Sequence, residues 1–571
     1  MYFNNDGVKE VTYDAIVIGT GISGGWAAKE LCEKGLKTLV LERGRMVRHI
    51  LDYPTASLDD WDFERRGVPK VSEMKSYAVQ NRTGYTMNEA SKHWWVNDTE
   101  NPYTEKQRFD WIRGYHVGGR SIMWGRQSYR LGDLDFEANA KEGIAVDWPI
   151  RYKDLAPWYD HVERFAGISG KKEGLAHLPD GEFLPPMDLT CVEEEFRQKI
   201  AKRYTDRLVT IGRVANLTQP HNGRGQCQSR NRCIRGCPFG AYFSSNAATL
   251  PAAEATNNMT LRPNSIVNSI IFDEKKNKAV GVRIIDAETN ETQEFFAPII
   301  FSCASTLGST FILLNSVSDR FPNGFGNDSG SLGRNLMDHH FRCGAEGIYD
   351  GFEDKYYKGR RPNGIYIPRF RNIDDKTKQK DFLRGYGYQG GASRQNWMRG
   401  IRELDMALGK DFKEALIQPG PWKMGITGFG ECLPYEDNQV TLNQDVRDKW
   451  GQPTLTIDAS FKANEMAMRE DIKIAAAEML EATGFKDIKV FDDGSWPGLA
   501  IHEMGTARMG RDPKTSVLNG WNQVHAAPNV FVTDGSCMTS SACQNPSLTY
   551  MALTARAANY AAEALKKGDL S

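Results

Sequence analysis

The chain lacks a long apolar run and a recognisable leader. Its 571 residues contain no uninterrupted stretch of about 18 apolar residues, the length that a membrane-spanning helix needs. Residues 1–6 have neither the basic start nor the apolar core of a signal peptide. We therefore expect no transmembrane helix. The chain is expected to be cytoplasmic, trimmed, or exported with a partner that carries the signal.

The sequence also lacks an excess of charge of either sign. It has 72 Lys and Arg against 73 Asp and Glu, which gives a formal net charge of −1 at pH 7. Because nucleic acids and anionic membranes attract basic surfaces, this balance favours neither of them as a partner. Internal repeats and low-complexity linkers are absent from the sequence, and its length predicts roughly two to four domains.

A strand, a glycine-rich turn and a helix are predicted near the start. The apolar run 13–18 leads into Gly-Thr-Gly-Ile-Ser-Gly at 19–24, and a helical stretch follows at 25–34. A second strand, 38–41, ends on Glu42. The glycines let a pyrophosphate approach the helix N-terminus, whose amides and dipole favour an anion. The Glu42 carboxylate is placed to accept hydrogen bonds from a ribose diol, so the pattern predicts a dinucleotide-binding unit.

A second informative region lies near the end of the chain. His502 stands in Ile-His-Glu-Met-Gly-Thr, and further along Asn545 and a proline open an alanine-rich helix. Between them, 530–533 has the pattern of a buried strand that stops at Asp534. Open α/β sheets place cofactors at such strand ends. We therefore expect the two ends of the chain to build one nucleotide site.

Three of the ten cysteines are concentrated in one short segment. Cys227, Cys233 and Cys237 have the spacing C-x5-C-x3-C, with Pro238 after the last one. Such a loop lets three thiolates converge on one soft centre, and its amides can hydrogen-bond cluster sulfurs. Three interpretations stay open. They are an iron–sulfur cluster, a zinc site whose fourth ligand is missing unless His221 supplies it, and one disulfide with a free thiol.

Taken together, the motifs resemble the glucose-methanol-choline (GMC) oxidoreductase family. The terminal motifs are joined by Tyr-His-Val-Gly-Gly-Arg-Ser at 115–121, Ile-Ile-Phe-Ser-Cys-Ala at 299–304 and Leu-Gly-Arg-Asn-Leu-Met-Asp-His at 332–339. The resemblance implies an α/β fold in which a Rossmann-like FAD-binding domain is interleaved with a substrate domain built on an antiparallel sheet. It also implies an FAD-dependent enzyme that acts on CH–OH groups.

The resemblance further implies domain boundaries and cofactor contacts. The FAD-binding domain is expected over 1–60, 105–135, 225–318 and 490–571, with a β-meander at 265–300, and the substrate domain over 61–104, 136–224 and 319–489. No histidine occurs in 120–124, where covalent relatives attach the flavin, so noncovalent FAD is expected. The residues expected to bind it are Gly19, Gly21, Ile22, Ser23, Gly24, Glu42, Arg43, Gly118, Gly119, Ser121, Val267, Ala304, Asp534, Gly535, Pro546, Ser547 and Leu548.

Two residues carry the chemistry that the resemblance implies. Oxidation of a carbinol removes a proton from oxygen and a hydride from carbon, and the flavin accepts the hydride. A base must lie within hydrogen-bond reach of the hydroxyl, and imidazole has a suitable pKa. By family resemblance His502 is that base, and Asn545 holds the same hydroxyl. His339, His340 and His525 lack such a context and are interpreted as structural or cofactor-adjacent.

The cysteine-rich loop is similar to that of one branch of the family. This branch comprises the catalytic subunits of bacterial sugar dehydrogenases of the FAD-glucose, fructose and glucoside 3-dehydrogenase type. Its members hold a [3Fe-4S] cluster in a segment that ends in C-P-x-G-A, which 237–241 matches. Some members begin the segment with two adjacent cysteines, whereas here Gln228 follows Cys227. Three ligands suffice for three irons, so Cys227, Cys233 and Cys237 are the implied ligands.

The leading hypothesis is oxidation of a glucoside at C3. Electrons would pass from FAD through the cluster to a cytochrome c, with a small accessory subunit as a further partner and a periplasmic location. The alternatives are C1 or C2 oxidation of free sugars or sugar acids, an oxygen-using pyranose oxidase with structural cysteines, and a flavoprotein-fold binding subunit without catalysis. Substrate contacts are predicted in the polar and aromatic segment 388–400, for which a plain surface loop is the alternative.

Overall fold

The computed structural model describes residues 13–84, 88–355, 362–394, 409–417 and 419–570. Its strands, in chain order, are β1 Ala15–Ile18, β2 Thr38–Leu41, β3 Thr104–Glu105, β4 Thr210–Ile211, β5 Met259–Arg262, β6 Ser265–Asp273, β7 Lys278–Asp286, β8 Thr292–Phe296, β9 Ile299–Ser302, β10 Cys343–Tyr349, β11 Ile365–Ile367, β12 Tyr386–Arg394, β13 Trp422–Gly430, β14 Gln439–Arg447, β15 Pro453–Asp458, β16 Lys486–Asp492, β17 Gln523–Val524 and β18 Ala527–Val532.

The α-helices lie between groups of these strands and after the last one. In chain order they are α1 Ile22–Glu33, α2 Ala78–Thr83, α3 Asp133–Phe136, α4 Ala138–Glu142, α5 Tyr152–Ala166, α6 Cys191–Arg203, α7 Thr249–Ala255, α8 Thr306–Asn315, α9 Lys410–Ile417, α10 Ala463–Ala482 and α11 Ser547–Lys567. Of the helices in the described ranges, none combines the length and the apolarity that crossing a bilayer requires.

A six-stranded, mainly parallel sheet joins the two ends of the chain. Its strand order is β17-β18-β9-β1-β2-β5, and β1 runs parallel to both β2 and β9. Every residue of β1, β2 and β9 is buried, as expected for a parallel sheet that is covered on both faces. α1 packs against α7 and α11. The predicted α/β fold is confirmed, and the first helix begins three residues earlier than predicted, at Ile22.

A second six-stranded sheet is antiparallel throughout. Its order is β16-β10-β13-β12-β11-β4, and α10 packs against β10, β13 and β16. The residues of β13 alternate between buried and half-buried positions, the period-two pattern of a strand whose two faces differ. This sheet is the predicted antiparallel core of the second domain.

The sheets follow the predicted segments closely. The parallel sheet and the meander β6-β7-β8 lie inside the segments assigned to the cofactor domain, whereas β16 crosses the proposed boundary at 490. The division into two domains stays a prediction. Residues 388–394 form part of the internal strand β12 and not a surface loop, and 395–400 lie outside the described residues.

A buried group of charges supports the loop that precedes α11. The Arg384 guanidinium is fully buried and donates to Glu142, Glu431 and Asn139. Glu431 Oε1 in turn accepts the backbone N–H of Ala542 at 3.1 Å. Buried charges are tolerated when they are paired in this way. Because each partner comes from a different segment, the pairing fixes where this loop lies.

Asp135 lies at the edge of the same group. Its Oδ2 accepts from Gln544 Nε2 at 3.1 Å, and burial, followed by the charge of Glu431, raises its pKa to about 7. The ordinary pKa of an Asp is 3.8, so the folded protein binds this proton more tightly than the unfolded chain. The contribution of Asp135 to the free energy of unfolding is therefore greatest below about pH 4 and falls as pH rises to about 7.

We expect Asp135→Asn to make the protein more stable than wild type at pH 8 but not at pH 5. The neutral amide can keep an oxygen as acceptor for Gln544, and it removes the cost of a buried charge beside Glu431. Thermal or urea unfolding at both pH values measures the difference. Asp206→Asn, at an exposed position, serves as control. An equal effect of Asp135→Asn at both pH values would contradict the assignment.

Candidate active site

A cavity of about 650 Å³ lies at the carboxyl ends of the parallel strands. Ile18 at the end of β1, Glu42 after β2, Cys303 after β9 and Asp534 near the end of β18 all line it. Open α/β sheets bind ligands at this edge. The antiparallel sheet also contributes to the lining, including Gln389 of β12. The cavity therefore spans both predicted domains.

Most of the predicted cofactor residues line this cavity. They are Gly19, Gly21, Ile22, Ser23, Glu42, Arg43, Gly119, Ser121, Val267, Ala304, Asp534, Gly535 and Ser547. Four others are absent from its lining, namely Gly24, Gly118, Pro546 and Leu548. A Cβ on Gly24 would meet the Gly19 carbonyl oxygen at 2.0 Å, and Leu548 is fully buried. In this structure Gly24 and Leu548 are packing residues.

The polar groups of the cavity fit a dinucleotide. Glu42 Oε2 accepts from the backbone N–H and the hydroxyl of Thr20 at 3.2 and 2.5 Å, and burial raises the pKa of Glu42. Arg43 Nε and the Tyr550 hydroxyl are buried, and neither has a hydrogen-bond partner within the part of the chain that the structure describes. Buried polar atoms are normally paired, so these two atoms fit a polar ligand in the cavity.

The two predicted catalytic side chains lie side by side in the same lining. Asn545 Nδ2 is 3.4 Å from His502 Nε2. Gln389 Nε2 donates to Asn545 Oδ1 at 2.6 Å, and this bond turns the amide group of Asn545 toward His502. Burial, with further contributions from His339 and Arg120, lowers the pKa of His502 well below 6.5. His502 is therefore neutral near pH 7, as a general base must be.

His339 contacts His502 directly, which the sequence did not predict. The two Nδ1 atoms are 2.9 Å apart, and His339 Nε2 lies 2.8 Å from the carbonyl oxygen of Ala542. The interpretation of His339 as structural or cofactor-adjacent did not include this contact with the predicted base. The sequence feature that could have indicated this contact was the position of His339 in the motif at 332–339. His340 makes no contact of this kind and packs edge-on against Phe461.

The loop that carries His502 is held by a buried carboxylate. Asp338 Oδ2 accepts the backbone N–H of Gly498 at 2.7 Å and that of Ala500 at 3.2 Å, and Oδ1 accepts that of His502 at 3.1 Å. Ile501 has a φ of 63°, a conformation that is rare for a β-branched residue. Burial, and then the charge of Glu503, raises the pKa of Asp338, and the three amides oppose this rise.

An ion pair joins the same loop to the glycine-rich turn at 118–121. Arg120 donates to both oxygens of Glu503, at 3.1 and 2.9 Å, and the Glu503 side chain is almost fully buried. Such bidentate pairs add geometric specificity as well as energy. The pair therefore fixes the position of the residue next to His502 relative to the predicted cofactor turn.

The three cysteines of the predicted cluster loop are half-buried and free of disulfides. Burial, and to a smaller extent the neighbouring thiols of Cys233 and Cys237, raises the pKa of Cys227. Over the described ranges, no three His, Cys, Asp or Glu side chains are arranged to hold a metal ion. His221 Nε2 instead lies 2.6 Å from the Arg164 carbonyl oxygen, which leaves the zinc interpretation without its fourth ligand.

Comparison with known proteins identifies the family. Models of the GMC oxidoreductase family match residues 13–341 and 434–554. The chain belongs to the GMC oxidoreductase family. It is 28% identical to the 2-methyl-1,2-propanediol dehydrogenase of Mycolicibacterium austroafricanum, over 96% of this chain and 94% of that protein. It is 25% identical to the fructose dehydrogenase large subunit of Gluconobacter japonicus, over 98% and 99%.

A solved structure agrees with this assignment at the level of the fold. A formate oxidase variant from Aspergillus oryzae RIB40 superposes with a TM-score of 0.61 at 16% identity, covering 98% of this chain and 99% of that one. As a GMC oxidoreductase, the protein is an FAD-dependent enzyme that acts on CH–OH groups. The cavity at the strand ends has the lining and the polar groups to hold FAD beside His502.

We expect His502→Ala to slow substrate-driven bleaching of the flavin by about two to four orders of magnitude, the usual size of a general-base effect. The variant should stay yellow, because the residues that surround the dinucleotide are unchanged. Rapid mixing under anaerobic conditions measures the rate. His525→Ala is the matched control, since His525 contacts Ser516 and is absent from the cavity lining. Wild-type bleaching by His502→Ala would remove His502 from the role of base.

Proposed function

We propose that the protein is an FAD-dependent sugar dehydrogenase that oxidises a ring hydroxyl to a ketone, at C3 of a glucoside. We further propose that its electrons leave through a [3Fe-4S] cluster on Cys227, Cys233 and Cys237 to a cytochrome c. The observation that carries the first part is the approach of His502 Nε2 and Asn545 Nδ2 to 3.4 Å in the cavity lining.

The two side chains are complementary to a hydroxyl group. An alcohol oxygen between them can accept a hydrogen bond from the Asn545 amide and donate its own proton to His502 Nε2. Because Gln389 holds the Asn545 oxygen, the amide presents an N–H group to the substrate. FAD, when bound, supplies the acceptor for the hydride. The protein then has to orient one carbinol and accept one proton.

The rest of the lining suits a sugar. Phe341 and Phe429, which stack on each other with ring centroids 5.1 Å apart, line the cavity together with Trp124, Gln127 and Arg342. Aromatic faces pack against the apolar face of a sugar ring, and polar groups bind its hydroxyls. Two relatives are named for the dehydrogenation of a diol and of fructose, which supports a polyhydroxylated substrate.

A substrate panel tests the sugar and the oxidised carbon. Methyl glucoside cannot be oxidised at C1, so we expect it to bleach the flavin under anaerobic conditions and to yield a 3-ketone, identified by ¹³C NMR. Bleaching by glucose, fructose or gluconate, but not by methyl glucoside, would favour C1 or C2 oxidation. A protein that no sugar bleaches would fit the alternative of a binding subunit without catalysis, and the proposed function would be wrong.

The position of the cysteine loop supports the proposed cluster. Ile234, which follows Cys233, lines the same cavity as His502, so the loop and the flavin site share a boundary. A single zinc ion needs every thiolate about 2.3 Å from one point, whereas the irons of a cluster are bound by separate thiolates. Cys233 and Cys237 lie close enough to Cys227 to raise the pKa of its thiol, and neighbouring thiolates can bind separate irons of one cluster. Bound there, the cluster would supply one-electron transfer.

Exposed apolar side chains in and around the segment that contacts this loop support a protein partner. The loop packs on residues 56–63, where Arg232 pairs with Asp59 and Arg235 donates to the Leu58 carbonyl oxygen. Leu51, Trp61 and Val71, in and around that segment, are 73%, 76% and 80% exposed. Large exposed apolar groups are typical of interaction sites. We propose that an accessory subunit or the cytochrome binds here, in the periplasm, after export with a signal-bearing partner.

Cys233→Ser tests the cluster separately from the flavin chemistry. We expect the wild type to contain about three irons per chain and the variant to lose them. Sugar should still bleach the flavin of the variant, but cytochrome c reduction should fail. Cys191→Ser, at a half-buried cysteine outside the loop, is the control. An iron-free wild type that reacts rapidly with oxygen would favour the oxidase with structural cysteines.

The proposed noncovalent attachment of FAD has a simple test. Because no histidine occurs in 120–124, acid precipitation should release all of the flavin into the supernatant, where absorbance measures it. Flavin that stays with the washed pellet after precipitation would show a covalent bond and would contradict the proposal.

A further inference from the structure

The hydrogen bonds of His339 determine which of its nitrogens carries a proton. Its Nε2 lies 2.8 Å from the carbonyl oxygen of Ala542, and a carbonyl oxygen can only accept a hydrogen bond. His339 Nε2 must therefore carry a hydrogen. Burial lowers the pKa of His339 below its ordinary value of 6.5, so the ring is neutral near pH 7. In a neutral ring with a proton on Nε2, Nδ1 is a bare acceptor.

The tautomer of His339 determines the tautomer of His502. The two Nδ1 atoms are 2.9 Å apart, and since His339 Nδ1 has no hydrogen, His502 Nδ1 must donate. A neutral His502 then has no hydrogen on Nε2, and this is the nitrogen that faces Asn545 at 3.4 Å. The lone pair of the base therefore points into the cavity before any substrate arrives.

His339 also connects the two catalytic loops. Ala542, whose carbonyl oxygen it holds, has a φ of 56° and lies three residues before Asn545. Asp338, the preceding residue, holds the backbone on both sides of Ile501. Left-handed backbone at non-glycine residues persists when the surroundings hold it in place. Asp338 and His339 are adjacent in sequence. Asp338 thus holds the loop of His502, and His339 holds the loop that leads to Asn545.

We propose that His339 is a positioning residue that selects the tautomer of His502 in which Nε2 is free to take the substrate proton. The inference rests on the proposed oxidation of a hydroxyl group. In that reaction the O–H bond breaks and its proton binds His502 Nε2, while the Nδ1–H of the resulting imidazolium stays hydrogen-bonded to His339. Without an acceptor at Nδ1, His502 can also adopt the tautomer with a proton on Nε2, which cannot act as a base.

Substitutions at His339 separate this role from simple packing. Leucine fills similar space but offers no acceptor, whereas asparagine carries an oxygen at the δ position, where it can accept from His502 Nδ1. We expect His339→Leu to slow flavin bleaching by about 10- to 100-fold, a part of the general-base effect. We expect His339→Asn to restore most of the rate. His339→Leu should lower kcat more than it changes KM.

His340→Leu is the matched control. His340 is equally buried, and neither of its ring nitrogens has a hydrogen-bond partner among the described residues. Its replacement should lower Tm without slowing the bleaching rate. Equal rates for His339→Leu and wild type, or equally slow rates for His339→Leu and His339→Asn, would overturn the proposal.

A neutron structure of the deuterated wild-type protein gives a readout that needs no turnover. We expect deuterium on His339 Nε2 and on His502 Nδ1, and none on His502 Nε2. Deuterium on His502 Nε2 would overturn the proposal even in an active enzyme. If no hydroxyl compound bleaches the flavin, the proposed function is wrong, and the deuterium positions still decide whether His339 selects the tautomer.

Discussion

The conformation of the catalytic loop depends on one buried carboxylate. Asp338 accepts the backbone N–H groups of Gly498, Ala500 and His502, so one side chain holds the loop at three points. Ile501 takes its left-handed conformation between two of them. Strain of this kind is found where a site is preorganised. The hydrogen bonds between Asp338 and the loop backbone thus fix the position of His502 independently of the contacts of its side chain.

Two further buried carboxylates hold other segments of the site in place. Glu431, paired with Arg384, accepts the N–H of Ala542 on the loop that leads to Asn545. Glu503, paired with Arg120, ties the loop of His502 to the glycine-rich turn at 118–121. Removing one partner of such a buried pair is costly, because a charge is left uncompensated. These two ion pairs therefore stabilise the observed positions of the loop of His502 and of the loop that leads to Asn545.

The parts of the fold that depend on local sequence were predictable. β2 was predicted at its observed residues, and the glycine-rich turn was correctly placed at the start of α1, because apolar runs and glycines act over a few residues. For 388–394 the alternative of a plain surface loop was wrong, because these residues belong to β12. In the strand, a Cβ on Gly390 would meet the Gly425 carbonyl oxygen at 2.2 Å, so glycine there permits close strand pairing.

The contacts that complete the site were not predictable from spacing. His339 and His502 are 163 residues apart in sequence, and Gln389 is 156 residues from Asn545, so only the tertiary fold brings them together. The cysteine loop shows a different limit. Its spacing predicted neighbouring thiols but specifies no particular centre, since thiolates can bind either zinc or an iron–sulfur cluster.

Amide hydrogen exchange of the segment 498–502 tests the central role of Asp338 most directly. In Asp338→Asn one carboxylate oxygen becomes an N–H donor, so at least one of the amides of Gly498, Ala500 and His502 loses its acceptor. We expect peptides that cover this segment to exchange faster in the variant than in the wild type, while peptides from β1 and β2 keep their protection. Unchanged exchange at 498–502 would show that the loop holds its conformation without Asp338.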